Sequence, residues 1–166
     1  MDAISDVLYL LDSSEYDDAV AAITDEAFGP GRFVRAAERV REMAPHIRAL
    51  SFVAIQGGAV VGSVRLTPVA IGKTPVLMLG PLAVRPGYKN RGIGKALMRM
   101  AADAAKAAGE TVIFLVGDEP YYGPLGYRRL AIGSVTMPRP VDPTRILALP
   151  LVEGALVGLE GRVQPR

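Results

Sequence analysis

The period of apolar positions changes several times along the chain, and each change marks an element. VLYLL, residues 7–11, is a short unbroken apolar run that predicts a buried strand. Ser13 or Ser14 then offers an N-cap, and Val20, Ile23, Ala27 and Phe28 fall near helical spacing, predicting a helix to about Ala27. Gly29-Pro30-Gly31 stops it. A second helix is predicted from about Phe33 to Ala44, rich in Arg and Glu on one side and ended by Pro45. Strands follow at Phe52–Gln56 and Ala59–Pro68, joined by a Gly57-Gly58 hairpin turn, and at Pro75–Val84 after Gly72-Lys73-Thr74. Ile93, Leu97, Met100, Ala101, Ala104 and Ala108 form the buried stripe of a long helix, about Gly92 to Ala108, closed by Gly109. Thr111–Val116 is continuously apolar, as a central strand would be. A glycine- and tyrosine-rich link, Gly117 to Gly126, leads to strand candidates at Ser134–Met137 and Ile146–Leu151. Helices interrupt the strands without regular alternation, which implies an α+β fold with a mixed sheet.

Composition narrows the chemistry. The 166 residues are 50% apolar and 22% charged, an ordinary globular mix suited to one domain over residues 1–166. There is no cysteine, which excludes disulfides, thiolate metal sites and a cysteine nucleophile. The single histidine, His46, argues against a zinc site or a histidine-based triad, so no metal is expected. His46 itself reads as a surface or capping residue. The acidic N-terminus does not resemble a secretion signal, and no apolar run reaches spanning length. The expectation is a cytoplasmic protein with no membrane association.

Net charge is +2 but uneven. Residues 1–31 hold eight acidic side chains and no Lys or Arg; all nineteen basic residues lie beyond them. A basic body suits either nucleic acid or a phosphate-bearing ligand. Scattered basic residues and 6% aromatics argue against nucleic acid.

The segment RPGYKNRGIGKAL, Arg85 to Leu97, favours the phosphate-bearing ligand. A predicted strand ends at Val84, and a helix begins near Gly92. The N–H groups at a helix N-terminus are unpaired and carry partial positive charge, so they attract phosphate. Gly92 and Gly94 let backbone approach an anion, and Lys89, Arg91 and Lys95 add charge. The same segment would also serve as a tight strand-to-helix turn with solvated basic residues. A P-loop would need glycine at Lys89 and a hydroxyl at Ala96. A dinucleotide fingerprint would need glycine at Leu97.

LGPLAVRPGYKNRGIGKALM, ending at Met98, resembles motif A of the GCN5-related N-acetyltransferase (GNAT) superfamily. The motif's [QR]-x-x-G-x-[GA] turn falls on Lys89-Asn90-Arg91-Gly92-Ile93-Gly94, with Lys89 where Gln or Arg is usual. EPYYGPLGYRRL resembles the family's YY-x-x-x-G-[FY] segment, and ILALPLVEGALVGLEGRV resembles the closing segment of the YhbS-type predicted acetyltransferases.

The resemblance implies a GNAT fold: a mixed, mostly antiparallel sheet of six to seven strands, splayed at the centre and flanked by about four helices. It implies acetyl-CoA as acyl donor and a primary amine of a small molecule or protein as acceptor, in a direct ternary-complex transfer. The backbone of Leu82, Ala83 and Val84 would accept the pantetheine arm. Pro81 fits there only if the strand bends or bulges. Lys89, Asn90, Arg91, Gly92, Ile93, Gly94, Lys95 and Ala96 would hold the pyrophosphate. Tyr122, four residues before Gly126, stands where the family places a tyrosine that protonates the leaving thiolate; Tyr121 reads as packing. The base is not evident, because residues 75–84 contain no acid. Asp118 and Glu119 could bind an ammonium group or relay its proton, or simply start a short helix. Glu38 and Glu42 could face the cleft, or pair with nearby arginines on a solvated face. The acidic first thirty residues hint at a cationic acceptor. The apolar C-terminal strands could pair across a homodimer. A CoA-binding regulatory or interaction module without turnover is the alternative.

Overall fold

The computed structural model describes residues 6–29 and 36–166. Nine strands share one sheet: β1 (Leu8–Leu11), β2 (Phe52–Gln56), β3 (Ala59–Ile71), β4 (Thr74–Val84), β5 (Val112–Val116), β6 (Arg128–Arg129), β7 (Val135–Thr136), β8 (Ile146–Pro150) and β9 (Gly161–Gln164). Their order is β1-β2-β3-β4-β5-β8-β6, with β9 beside the end of β3 and β7 beside β9. Every pairing is antiparallel except β4–β5 and β7–β9. The count exceeds the expected six to seven because β6 and β9 join an otherwise anticipated set. The helices are α1 (Asp17–Phe28), α2 (Ala36–Arg41), α3 (Ile93–Ala107) and α4 (Glu119–Tyr122). The predicted start of the second helix, at residues 33–35, lies outside the described residues.

Side-chain alternation divides the core into two layers. On one face Leu77 and Leu79 of β4 join Ile113, Leu115, Leu147 and the buried stripe of α3. On the other, Val76, Met78, Val112 and Phe114 pack with Ala36 and Val40 of α2. The register of β4 against β3 then slips by one residue: Leu66 faces Leu79, but Val64 faces Leu82. This β-bulge at Gly80-Pro81 is the bend that the proline required. The inserted residue reverses the alternation. Beyond it Leu82 and Val84 pack on the α3 layer, while Ala83 meets Val20 and Ile23 of α1.

The stripe of α3 is Ile93, Leu97, Met98, Ala101 and Ala105, rotated from the expected one. Met100 and Ala104 are only half-buried, and Ala108 is exposed. Neither Ser13 nor Ser14 caps α1 through its side chain; a 3-10 turn over Ser14–Tyr16 precedes the helix, whose N-cap is Tyr16. Ion pairs hold that start instead. Asp12, with its carboxylate out of solvent, accepts from His46 Nε2 at 2.6 Å and from Arg48 at 2.9 Å. Asp17 accepts from Arg48 at 2.9 Å and from Arg65 at 2.8 Å. His46 is thus a half-buried member of an ion-pair network, and burial lowers its pKa despite the bond to Asp12.

Leu97 is wholly buried where α3 meets the sheet. Leu97→Ala should cost about 2–5 kcal/mol of stability, read as a lower urea midpoint with unchanged slope. A loss below about 1 kcal/mol would mean that α3 is not fixed on this layer.

Candidate active site

The parallel strands β4 and β5 pair only at Leu77–Ile113 and Met78–Phe114. Past the bulge they separate, so β4 continues to Val84 with β3 on one side and, among the described residues, no strand on the other. The direction of its backbone groups follows from strand geometry. Arg85 N donates to Val61 O at 2.9 Å, towards β3. Successive residues alternate, so Ala83 also faces β3, whereas the N–H and C=O of Leu82 and Val84 face the open side.

That open edge lines a cleft of about 1250 Å³ between the strands. At its outer end, after a 3-10 turn over Pro86–Tyr88, Gly92 adopts φ 83° as the N-cap of α3. The N–H groups of Ile93, Gly94 and Lys95 begin the helix and have no partner within it. Ala96 is different: its N–H donates to Gly92 O at 3.0 Å, so it has no amide to offer an anion. Lys89, Asn90, Gly92, Ile93, Gly94 and Lys95 line the cleft, but Arg91 does not; its guanidinium stands 5.2 Å from the Tyr88 ring centroid. The arrangement can hold a diphosphate at the helix and an extended amide-bearing chain along β4.

The acetyltransferase (GNAT) family model matches residues 18–123. The chain belongs to the acetyltransferase (GNAT) family. Among solved structures, this GNAT chain is similar to the N-acetyltransferase YhbS of Escherichia coli in complex with CoA, at 21% identity and TM-score 0.80, covering 96% of this chain and 89% of that one. It is similar to a GNAT acetyltransferase of Brucella melitensis in complex with acetyl-CoA, at 26% identity and TM-score 0.62, covering 90% and 97%. A GNAT acetyltransferase of Staphylococcus aureus matches at 17% identity and TM-score 0.64, covering 88% and 99%. No curated protein matches the chain. Among the described residues, no helix of the GNAT chain is long and apolar enough to cross a membrane.

On the β5 side of the cleft, α4 sets two tyrosines side by side. Their rings meet edge to face, with centroids 4.7 Å apart. Tyr122 lies against Gly117, just past β5: a Cβ there would fall 2.3 Å from its ring, so only glycine admits it. Burial pushes the Tyr122 hydroxyl up to about 12; neighbouring Tyr121 and Asp118 add to the rise and Arg145 opposes it. Tyr121, read as packing in sequence, also lines the cleft, and its hydroxyl stands over the first turn of α3, 2.7 Å from where a Cβ on Gly94 would lie.

The two acids divide. Asp118 lines the cleft, 3.4 Å from Arg145 Nε. Glu119 pairs with Arg129 at 2.9 Å and is not part of the lining. Just past α2, Glu42 pairs with Arg39 in solvent, whereas Glu38 on the helix is buried and lines the cleft together with Arg41. Of residues 6–29, only Ala27 and Phe28 reach the lining, so none of the acids in that segment reaches it. Sequence reading missed Arg145 and Asp142, which come from the approach to β8.

Because the folded pKa of Tyr122 is raised, its contribution to stability is intact below pH ~10 and is lost as pH rises towards 12. At about pH 10.5 an ordinary tyrosine is more than half ionised. Wild type and Tyr122→Phe should therefore give the same tyrosinate absorbance at that pH. A larger signal in the wild type would contradict this environment.

Proposed function

We propose that the cleft binds acetyl-CoA and an amine together and transfers the acetyl group directly between them. The observation that carries the reading is the unpaired β4 edge running into the N-terminus of α3. When bound, acetyl-CoA supplies a thioester whose acyl carbon accepts a neutral amine. The N–H groups of Ile93, Gly94 and Lys95, with the ammonium groups of Lys89 and Lys95, hold the pyrophosphate. Leu82 and Val84 offer their free backbone groups to the pantetheine amides. A β4 amide donating to the thioester carbonyl stabilises the charge that develops there, an oxyanion-type contribution. That the Escherichia coli and Brucella relatives were solved in complex with CoA and acetyl-CoA supports acetyl-CoA as the acyl donor.

The transfer forms a C–N bond and breaks a C–S bond. The amine must shed a proton, and the departing sulfur must gain one. Tyr122 gives its proton to the sulfur. A pKa raised to about 12 by burial keeps Tyr122 protonated at neutral pH. The same dry surroundings that raise Tyr122 raise the basicity of the thiolate, which keeps donor and recipient matched. Asp118, at the solvent-facing rim, takes up the amine's proton or passes it to water; β4 itself offers no acid between residues 75 and 84.

CoA and acetyl-CoA should each raise the melting temperature, and ATP should not. Binding to the native state alone adds about 2.7 kcal/mol at one hundred times Kd. Tyr122→Phe should keep that shift while turnover falls at least about tenfold. Unchanged turnover would remove the proton-donor role, and no shift with either CoA form would overturn the donor site. A shift without turnover on any amine would favour a binding module.

A further inference from the structure

The α2 wall carries an ion pair that the transfer chemistry leaves without a task. Glu38 is 8% exposed, and its carboxylate accepts a hydrogen bond from Arg41 Nη1. Removing two charges from water costs several kcal/mol before their attraction is counted, and a six-residue helix has little need of such a pair. What the pair does is aim Arg41. Its guanidinium reaches the bulge of β4, where a Cβ on Gly80 would fall 2.7 Å from Nη2. Gly80, at φ 134°, leaves room for it. Arg41 is therefore placed where β4 parts from β5, two residues before the open edge begins.

Glu38, Arg41, Gly80 and Pro81 also line a second cavity of about 260 Å³. It runs from the same point to Thr24, Thr67, His46 and Arg65, so the cleft has a polar side chamber on the far side of the bulge. Carboxylates line the same cleft from other elements. Asp118 and Asp142 reach it from the segments after β5 and before β8, with Arg145 beside Asp118. The cleft thus offers an acceptor a guanidinium from α2 and carboxylates from the segments around β5 and β8.

We propose that the acceptor is a small zwitterion, an amine that also bears a carboxylate, and that Arg41 binds the carboxylate. The proposal rests on the acyl-transfer reading above. A guanidinium presents a planar fork that matches a carboxylate edge to edge, and Glu38 fixes the plane of that fork by holding Nη1. A phosphate dianion would set more negative charge against Glu38 than a carboxylate does. The amine is drawn towards Asp118 and Asp142, and the side chain of the acceptor extends into the chamber beside Thr24 and Thr67.

The test compares acceptors in matched pairs with acetyl-CoA: L-lysine against 1,5-diaminopentane, and each other amino acid against its decarboxylated amine. Wild type should favour the carboxylate-bearing member of at least one pair by about tenfold or more in kcat/KM, as a charged hydrogen bond supplies. Arg41→Gln should bring that ratio towards one, chiefly through the acceptor KM, and Arg41→Lys should fall between. The melting shift with acetyl-CoA should persist in both variants, which separates acceptor binding from loss of fold. Equal use of both members, turnover with neither, or an equal loss on both in Arg41→Gln would overturn the proposal. Absence of the acetyl-CoA shift in the wild type would instead bring down the donor reading.

Discussion

Everything in the cleft depends on two parallel strands that pair at one end and part at the other. β4 and β5 share only two residue pairs, Leu77–Ile113 and Met78–Phe114. Backbone groups that lose a sheet partner must find another partner or water. Here those groups belong to Leu82 and Val84, and they face a cleft that ends at the start of a helix. The bulge at Gly80-Pro81 makes the parting and also reverses the side-chain alternation. Leu82 and Val84 can then anchor in the α3 layer while presenting backbone to the open side.

The two core layers keep the strands from closing. α3 packs Ile93 and Leu97 within 3.1 Å of where a Cβ on Gly62 would lie, so the helix start is set by contact with β3, not by the turn alone. On the opposite face α1 packs against Ala83, and its first turn is tied by Asp17 to Arg48 and Arg65. That network is partly out of solvent, where charges are screened less than on a surface. Layers on both faces hold a strand that is paired on one edge only, with Arg41 reaching its bulge at Gly80 from α2. The proposed donor site is thus built before any ligand arrives, which would lower the cost of ordering on binding.

How much of this is legible in the sequence depends on range. The glycine turn is local: its strand, its basic residues and the N-cap Gly92 fall in one short stretch, and the family resemblance rests there. Tyr122 is likewise fixed by its spacing from Gly126. Pro81 in a strand pattern signals the bulge, because a proline cannot donate to a ladder. Other features depend on partners far along the chain. β6 is two exposed arginines and β9 has one buried residue, Val163, so neither shows a period. Asp12 meets His46, Arg48 and Arg65 only after folding. The i,i+3 spacing of Glu38 and Arg41 predicts their pairing but not that the pair is buried, since a six-residue helix has too short a stripe to show which face turns inward. Ala96 shows the opposite error. It belongs to the motif by position, yet it is the first residue whose amide the helix itself uses.

The donor site, as proposed, is formed by backbone more than by side chains. Amide hydrogen exchange with and without acetyl-CoA tests it most directly, because exchange reports on each N–H. Ligand-induced slowing is expected at Leu82, Val84, Ile93, Gly94 and Lys95, with little change at Ala83 and Ala96, whose amides already point to β3 or to Gly92. Slowing spread evenly over α3 and β4, or confined to segments away from the parted strands, would contradict it.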